Sequence, residues 1–324
     1  MMENFENRID LTEFSNKVEN LKTQIASIIV GQEGAVDLIL TALLADGHVL
    51  IEGVPGVAKT LLAKLTAKLI DAEYSRIQFT PDLMPSDVLG TSVFNLKTSE
   101  FEFHKGPIFS EIVLIDEINR APAKTQAALF EVMEERQVTV DGITRSMNEI
   151  YTVIATQNPV EQEGTYRLPE AQLDRFLMKI KIDYPQPQEE YTILKRHNEN
   201  KQLTKLTEIA PVISKAEVLK FRSLVSQVFV EDSLLKYISE IVIGTRKSPA
   251  VYLGASPRAS VALLNASKAY ALLQGRDFIT PDDIKYVGVP VLQHRLMLSP
   301  ETEMEGHSAE TVCKRLIEKI EVPK

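Results

Sequence analysis

One stretch constrains this chain more than any other: Gly53-Val54-Pro55-Gly56-Val57-Ala58-Lys59-Thr60. It lies directly after an apolar run, His48–Glu52, and opens a helical pattern, Thr60–Leu69. A glycine-containing loop between a buried strand and a helix lets backbone N–H groups converge on one point, as a chain of phosphates requires. In that reading Lys59 reaches the β- and γ-phosphates and the Thr60 hydroxyl holds Mg²⁺. Ala58 stands where the general pattern has glycine. Its amide still donates, and a helix start is expected to give it the negative φ that alanine accepts. The plainer alternative is an ordinary tight strand–helix turn.

The surroundings predict an α/β fold. Five short runs read as buried strands: His48–Glu52, Ser75–Phe79, Ile112–Asp116, Tyr151–Thr156 and Leu177–Ile182. They are rich in Val, Ile and Leu without clean alternation, as strands covered on both faces are. Helical segments at Thr60–Leu69 and Pro122–Glu135 fall between them, which predicts a parallel five-stranded sheet with helices on both sides. Ahead of it, Phe14, Val18, Leu21, Ile25 and Ile28 mark one face of an amphipathic helix. Phe94–Phe103 and Gln137–Met147 read as β-hairpins, the second turning at Asp141-Gly142, and both are expected to project as inserts.

After Asp183–Pro187 the strand-like runs largely disappear and helix starts accumulate. Ser214 with Glu217 forms a capping box, and Ser256-Pro257, Thr280-Pro281 and Ser299-Pro300 each set a capping hydroxyl before a first-turn proline. These signals divide the chain near residue 186, into an α/β nucleotide-binding core at 1–185 and an α-helical lid domain at 186–324.

Composition narrows the function classes. A net charge of −9, from 36 Lys plus Arg against 45 Asp plus Glu, does not suit a protein that coats nucleic acid. Lys97, His104, Lys105 and Arg145 near the hairpins are too few for a basic track. A single cysteine, Cys313, excludes an intramolecular disulfide and makes the cytoplasm the default compartment. The most apolar stretch, Val36–Val54, is broken by Asp37, Asp46, His48 and Glu52, so no direct membrane insertion is expected. The opening MMENFENRID has neither a basic start nor an apolar run and does not read as a secretory signal. The five histidines show no metal-ligand spacing.

Two further motifs carry chemistry. Ile112-Val113-Leu114-Ile115-Asp116-Glu117 is four apolar residues ending in two carboxylates. A buried strand delivers Asp116 at its C-terminal edge, where it can bind Mg²⁺ through water, and leaves Glu117 to polarise an attacking water. Alone, such an ending is a common surface feature. Joined to the phosphate loop, it predicts nucleoside triphosphate hydrolysis rather than transfer to a small molecule. The fourth strand ends Ala155-Thr156-Gln157-Asn158-Pro159 and would bring Asn158 to the same edge, to orient the water or the γ-phosphate. A turn-forming Asn-Pro is the bland alternative.

This order of motifs, followed by helices, resembles the AAA+ ATPases, and within them the MoxR family. The finer resemblance rests on Gly53–Thr60, Phe79–Asp87, Asp116–Pro122, Leu168–Phe176 and Gly254–Ala259, and extends from Ile29 to Leu296. It implies ATP and Mg²⁺ as cofactors. Ile29-Val30-Gly31-Gln32 matches the segment that flanks adenine; Gly53, Val54, Pro55, Gly56, Val57, Ala58, Lys59, Thr60 and Leu61 match the phosphate cradle. Thr60 and Asp116 would hold the metal, while Lys59, Glu117 and Asn158 act at the γ-phosphate. Arg175 matches the arginine finger that a neighbouring subunit supplies. Arg258 matches the second sensor, expected to touch the γ-phosphate of its own subunit, and Arg120 is a further candidate for cross-subunit contact.

The resemblance also implies a homo-oligomeric ring, a hexamer, in which hydrolysis swings the lid against the core. The hairpins would face the pore or the substrate. The work implied is chaperone-like remodelling or maturation of client proteins, including cofactor or metal insertion, alongside partners that carry a von Willebrand factor A domain. The ATPase subunit of magnesium chelatase shares the motifs, but Phe79–Asp87 favours MoxR. A nucleic-acid motor is opposed by the charge. A non-hydrolysing nucleotide-binding module is opposed by the intact Lys59, Asp116, Glu117 and Asn158. Gln293-His294-Arg295-Leu296 fits the family pattern, with no physical role legible from the residues. Cys313 is expected to be buried rather than reactive.

Overall fold

The computed structural model describes residues 9–158, 166, 168–199 and 209–323. Residues 1–8, which hold most of the acidic opening, and Pro159 of the fourth-strand motif lie outside them. The chain begins with α1 (Thr12–Ile28) and α2 (Glu33–Leu44), then β1 (Val49–Gly53), α3 (Lys59–Leu69) and β2 (Tyr74–Gln78). It continues through α4 (Pro85–Leu89), β3 (Gly90–Asn95), β4 (Glu100–Lys105), β5 (Ile112–Asp116) and α5 (Ala123–Glu135). Next come β6 (Gln137–Val140), β7 (Ile143–Ser146), β8 (Thr152–Gln157), α6 (Glu170–Leu173) and β9 (Met178–Ile182).

Five strands form one parallel sheet in the order β2-β5-β8-β1-β9. Alternation along each strand sends Val49, Ile51, Ile112, Leu114 and Ile154 to one face and Leu50, Val113, Ile115, Val153 and Ala155 to the other. Both sets are buried, which is why the runs look uninterrupted in sequence. The first face is covered by the apolar stripes of α1, α2 and α3, the second by Leu129, Phe130 and Met133 of α5. Truncating one of these strand residues, such as Ile115→Ala, would cost about 2–5 kcal/mol.

The two hairpins, β3–β4 and β6–β7, are separate antiparallel sheets outside this core. They are tied together: the Ser92 hydroxyl meets the Asp141 carboxylate, and the Arg145 guanidinium lies 3.9 Å over the Phe103 ring. Phe94, Leu96 and Phe101 at the first hairpin are exposed.

Beyond β9 the chain runs through α7 (Pro187–Asn198), α8 (Lys215–Gln227), α9 (Asp232–Lys247), β10 (Val251–Leu253), α10 (Pro257–Leu273) and α11 (Pro281–Leu292). It closes with β11 (Met297–Leu298), α12 (Pro300–Met304) and α13 (Ala309–Lys319). The predicted helix starts stand where expected. The Ser214 amide donates to the Glu217 carboxylate at 2.8 Å while Glu217 N–H returns to the Ser214 hydroxyl, and Ser256, Thr280 and Ser299 occupy the caps before their prolines. This region is not wholly helical, because β10 pairs antiparallel with β11. Strands of three and two residues are too short to show a period in sequence.

One apolar cluster continues from the sheet face through α1 and α2 into α8–α11 and α13, with Phe14 edge-on to Phe221 at 4.8 Å between ring centres. Cys313 lies inside it, and burial pushes its thiol up to about 12. No helix among the described residues is long and apolar enough to cross a membrane.

Candidate active site

Parallel strands all end at one edge of their sheet, so the motifs that follow β1, β5 and β8 meet there. The phosphate loop leaves β1 at Gly53, where a Cβ would lie 2.6 Å from the Ile182 carbonyl oxygen; only glycine lets β1 exit so close to β9. Gly56 takes a φ of 87°, and Lys59 folds back to donate from Nζ to the Gly53 carbonyl at 2.5 Å. Thr60 follows in the first turn of α3. Ala58 departs from the expectation: its φ is 61°, not negative. The loop enters α3 through a left-handed residue, a conformation that costs an alanine about 1–2 kcal/mol.

Asp116 ends β5 and is buried. Its carboxylate accepts from Arg76 Nε at 2.6 Å and from the Thr156 hydroxyl at 3.1 Å. Glu117 turns out of the strand with a φ of 57°, and the same Thr156 oxygen secures that turn by accepting its N–H at 3.1 Å. The Glu117 carboxylate accepts from Gln78 Nε2 at 2.8 Å and pairs with Arg120 Nε at 3.2 Å. Arg120, a candidate for cross-subunit contact, is thus paired with Glu117 within this chain. Arg76, Gln78 and Thr156 received no role from the sequence. The signal available was polar residues on β2 in strand alternation, with Gln78 in register with Asp116.

Asn158, buried, follows β8, which lies between β5 and β1, so it emerges between the loop and Glu117. Gly31 and Gln32 are both left-handed, with φ of 71° and 67°. Gln32 Nε2 donates to the Asp183 carbonyl at 3.1 Å, and a Cβ on Gly31 would strike the Glu189 carboxylate at 2.8 Å. This segment thus sits where the chain leaves β9 for α7. The Thr60 hydroxyl and Asp116 carboxylate are hard oxygen donors, the set that suits Mg²⁺ with its retained waters. Among the described residues no group of three or more His, Cys, Asp or Glu could hold a metal without help.

The two predicted arginines lie elsewhere. Arg175, in the turn between α6 and β9, donates from Nη1 to the Phe130 carbonyl. Arg258, in the first turn of α10, pairs with Glu134 at 2.9 Å. Both line one cavity of about 600 Å³, with Asp46, His48, Glu134 and Asp174. His48 immediately precedes β1, so this cavity lies at the N-terminal edge of the sheet. The five residues of β1, roughly 17 Å at about 3.3 Å per residue, separate it from the phosphate loop. In this chain Arg258 therefore lines a cavity at the edge opposite the phosphate loop, whereas the resemblance assigns it to the γ-phosphate of its own subunit. The reason is tertiary: the Ser256 hydroxyl at the start of α10 docks on the Asp174 carboxylate at 3.3 Å, which sets Arg258 beside Arg175. His48 Nδ1 accepts the Val153 N–H at 3.0 Å, so Nε2 carries the proton and donates to the Met133 carbonyl. Burial, with Arg136 nearby, pushes this imidazole down to about 3 and keeps it neutral.

An AAA family, ATPases associated with various cellular activities, matches residues 48–178, and an AAA lid domain matches residues 243–316. Chaperone MoxR1 of Mycobacterium tuberculosis is 42% identical, over 93% of this chain and 81% of its own. The chain belongs to the MoxR family of AAA+ ATPases. YeaC of Bacillus subtilis is 50% identical over 92% of both chains. The crystal structure of a proposed ATPase from Cytophaga hutchinsonii superimposes with a TM-score of 0.87, at 40% identity and 96% coverage of each chain. For this MoxR-type ATPase, the five-stranded parallel sheet and helical lid are the architecture that the motifs implied.

Proposed function

We propose that this MoxR-type ATPase hydrolyses ATP at a site shared between subunits, and uses the cycle to remodel client proteins. One observation carries the reading: the phosphate loop, Asp116, Glu117 and Asn158 lie at one edge of the sheet, and Arg175 and Arg258 at the opposite edge. A chain with half-sites at opposite ends completes each site by heterologous contact with the next copy, and such contacts form a ring when the rotation between copies closes. A hexameric ring fits that rule.

Within the site, the loop amides of 53–60 other than Pro55, which has no N–H, and Lys59 bind the β- and γ-phosphates, Gly31 and Gln32 border the base, and Leu61 follows the cradle. Thr60 and Asp116 would hold Mg²⁺, which would supply charge neutralisation at the phosphate oxygens. Glu117 accepts a proton from the attacking water and Asn158 orients that water. Arg175 and Arg258 of the next subunit stabilise the charge that develops on the γ-phosphate. The division into a core at 1–185 and a lid at 186–324 lets nucleotide state move one against the other. The tied hairpins would carry that motion to a client in the cytoplasm, alongside a partner with a von Willebrand factor A domain. The name of the relative Chaperone MoxR1 supports this direction.

The test is ATP hydrolysis against protein concentration, with mass by light scattering. Specific activity should rise with assembly. Arg175→Ala should lower kcat about 10³-fold while ATP still binds, and Glu117→Gln about 10²–10⁴-fold. Full activity in a monomer would overturn the shared site.

A further inference from the structure

Gln293, His294 and Arg295 form a single 3-10 turn between α11 and β11. All three side chains reach the backbone that carries Arg175. Gln293 Nε2 donates to the Lys179 carbonyl at 2.7 Å, and His294 Nε2 to the Phe176 carbonyl at 3.0 Å. Arg295 donates to the carbonyls of Phe176 at 2.7 Å, Leu177 at 3.1 Å and Asp174 at 3.2 Å. Its Nε also lies 2.7 Å from the Asp174 carboxylate. Both neighbours of Arg175 in the chain are therefore gripped from the lid.

The same Asp174 carboxylate receives the Ser256 hydroxyl, two residues before Arg258. One carboxylate thus joins the turn that bears Arg175, the helix start that bears Arg258, and the 293–295 turn. The Arg295 side chain is only 4% exposed. Burying a guanidinium and a carboxylate is a poor way to gain stability, since apolar residues of similar volume serve as well or better. What such a pair can supply is a fixed geometry.

We infer that the Gln293–Arg295 turn is a clasp that sets Arg175 and Arg258 in register, and that Arg295 is a positioning residue for hydrolysis in the neighbouring subunit. The inference rests on the shared site proposed above. It gives the Gln-His-Arg motif a role and links the lid to the finger: a displacement of the lid carries the 174–179 backbone with it.

The informative variant is Arg295→Lys. It keeps a cation beside Asp174, but one ammonium cannot reproduce the fork that reaches three carbonyls. Removing the cation altogether would leave Asp174 uncompensated; the second variant, Asp174→Asn, leaves Arg295 its three carbonyl acceptors, and its melting temperature is read beside kcat to separate position from folding. Both should lower kcat at least tenfold with the KM for ATP and the assembled mass unchanged. The double variant Arg175→Ala/Arg295→Lys should be no slower than Arg175→Ala alone, because a finger already removed cannot also be misplaced.

Mixing then separates this inference from the reading it rests on. Glu117→Gln subunits retain an intact finger and clasp but hydrolyse poorly. Added to Arg175→Ala or to Arg295→Lys, they should restore activity in both mixtures. Restoration with Arg175→Ala but not with Arg295→Lys overturns the clasp and leaves the shared site standing. Restoration with neither overturns the shared site and the clasp with it. A wild-type kcat in Arg295→Lys with only a lowered melting temperature, loss of the assembly, or a double variant slower than Arg175→Ala, also overturns the clasp.

Discussion

Arg76 Nε lies 2.6 Å from a carboxylate oxygen of Asp116, so the acidic residue that ends β5 already carries a cation from the adjacent strand. A divalent metal at Asp116 has to share or displace it. The Arg76 side chain is 52% exposed, and an ion pair so placed contributes about 1 kcal/mol at most. Arg76→Ala should therefore lower the Mg²⁺ concentration for half-maximal hydrolysis by up to about fivefold, measured at saturating ATP. A requirement that stays the same or rises would show that Arg76 supports the carboxylate rather than competing for it.

Ala58 offers a test of the phosphate loop that needs no nucleotide. Its φ of 61° costs alanine about 1–2 kcal/mol and glycine almost nothing. Glycine gives back some of that advantage through greater freedom in the unfolded chain. Ala58→Gly should raise stability by about 0.5–1 kcal/mol, read as a higher urea midpoint at unchanged slope. A lower midpoint would mean that the strain is relieved by contacts of the methyl group.

Most of the sheet and its C-terminal edge was legible because both are local. Ile112–Asp116 announces its strand by four buried apolar residues and its chemistry by the adjoining carboxylates of Asp116 and Glu117. Ser214 and Glu217 declare a helix start within four residues. The illegible features depend on partners distant in sequence. The position of Arg258 follows from Ser256 meeting Asp174, 82 residues away. The family resemblance marks Gln293, His294 and Arg295 but not their role, because they act chiefly on backbone carbonyls, which any residue can supply. Gln78 could have been suspected only after the register of β2 with β5 was known.

The displacement of Arg258 from its own phosphate loop separates binding from turnover. In subunits diluted below assembly, Arg258→Ala should bind ATP as the wild type does, within about twofold. In assembled protein it should lower kcat by at least about tenfold, a loss of about 1.4 kcal/mol in transition-state stabilisation. A weaker ATP affinity in the dissociated variant would return Arg258 to its own subunit's site. Glu134→Ala, which removes the partner of Arg258 on a mostly exposed pair, should shift stability by no more than about 1 kcal/mol.

Glu217 ties α8 to α1 and makes part of the stability dependent on pH. The Lys17 ammonium first, then the Ser214 amide and hydroxyl, pull its carboxyl from 4.5 down to about 2. The folded value lies below the unfolded one, so the contribution is complete above about pH 4.5 and is lost as pH falls toward 2. A capping box and a surface ion pair together amount to about 1–2 kcal/mol. Glu217→Gln should therefore lower the urea midpoint at pH 7, and the gap from wild type should narrow at pH 4 and again at pH 3. Lys17→Met, which removes the largest cause, should shrink the same acid-sensitive gap while leaving the Ser214 cap in place. A gap that stays constant from pH 7 to pH 3 would show that the ion pair does not couple the two helices.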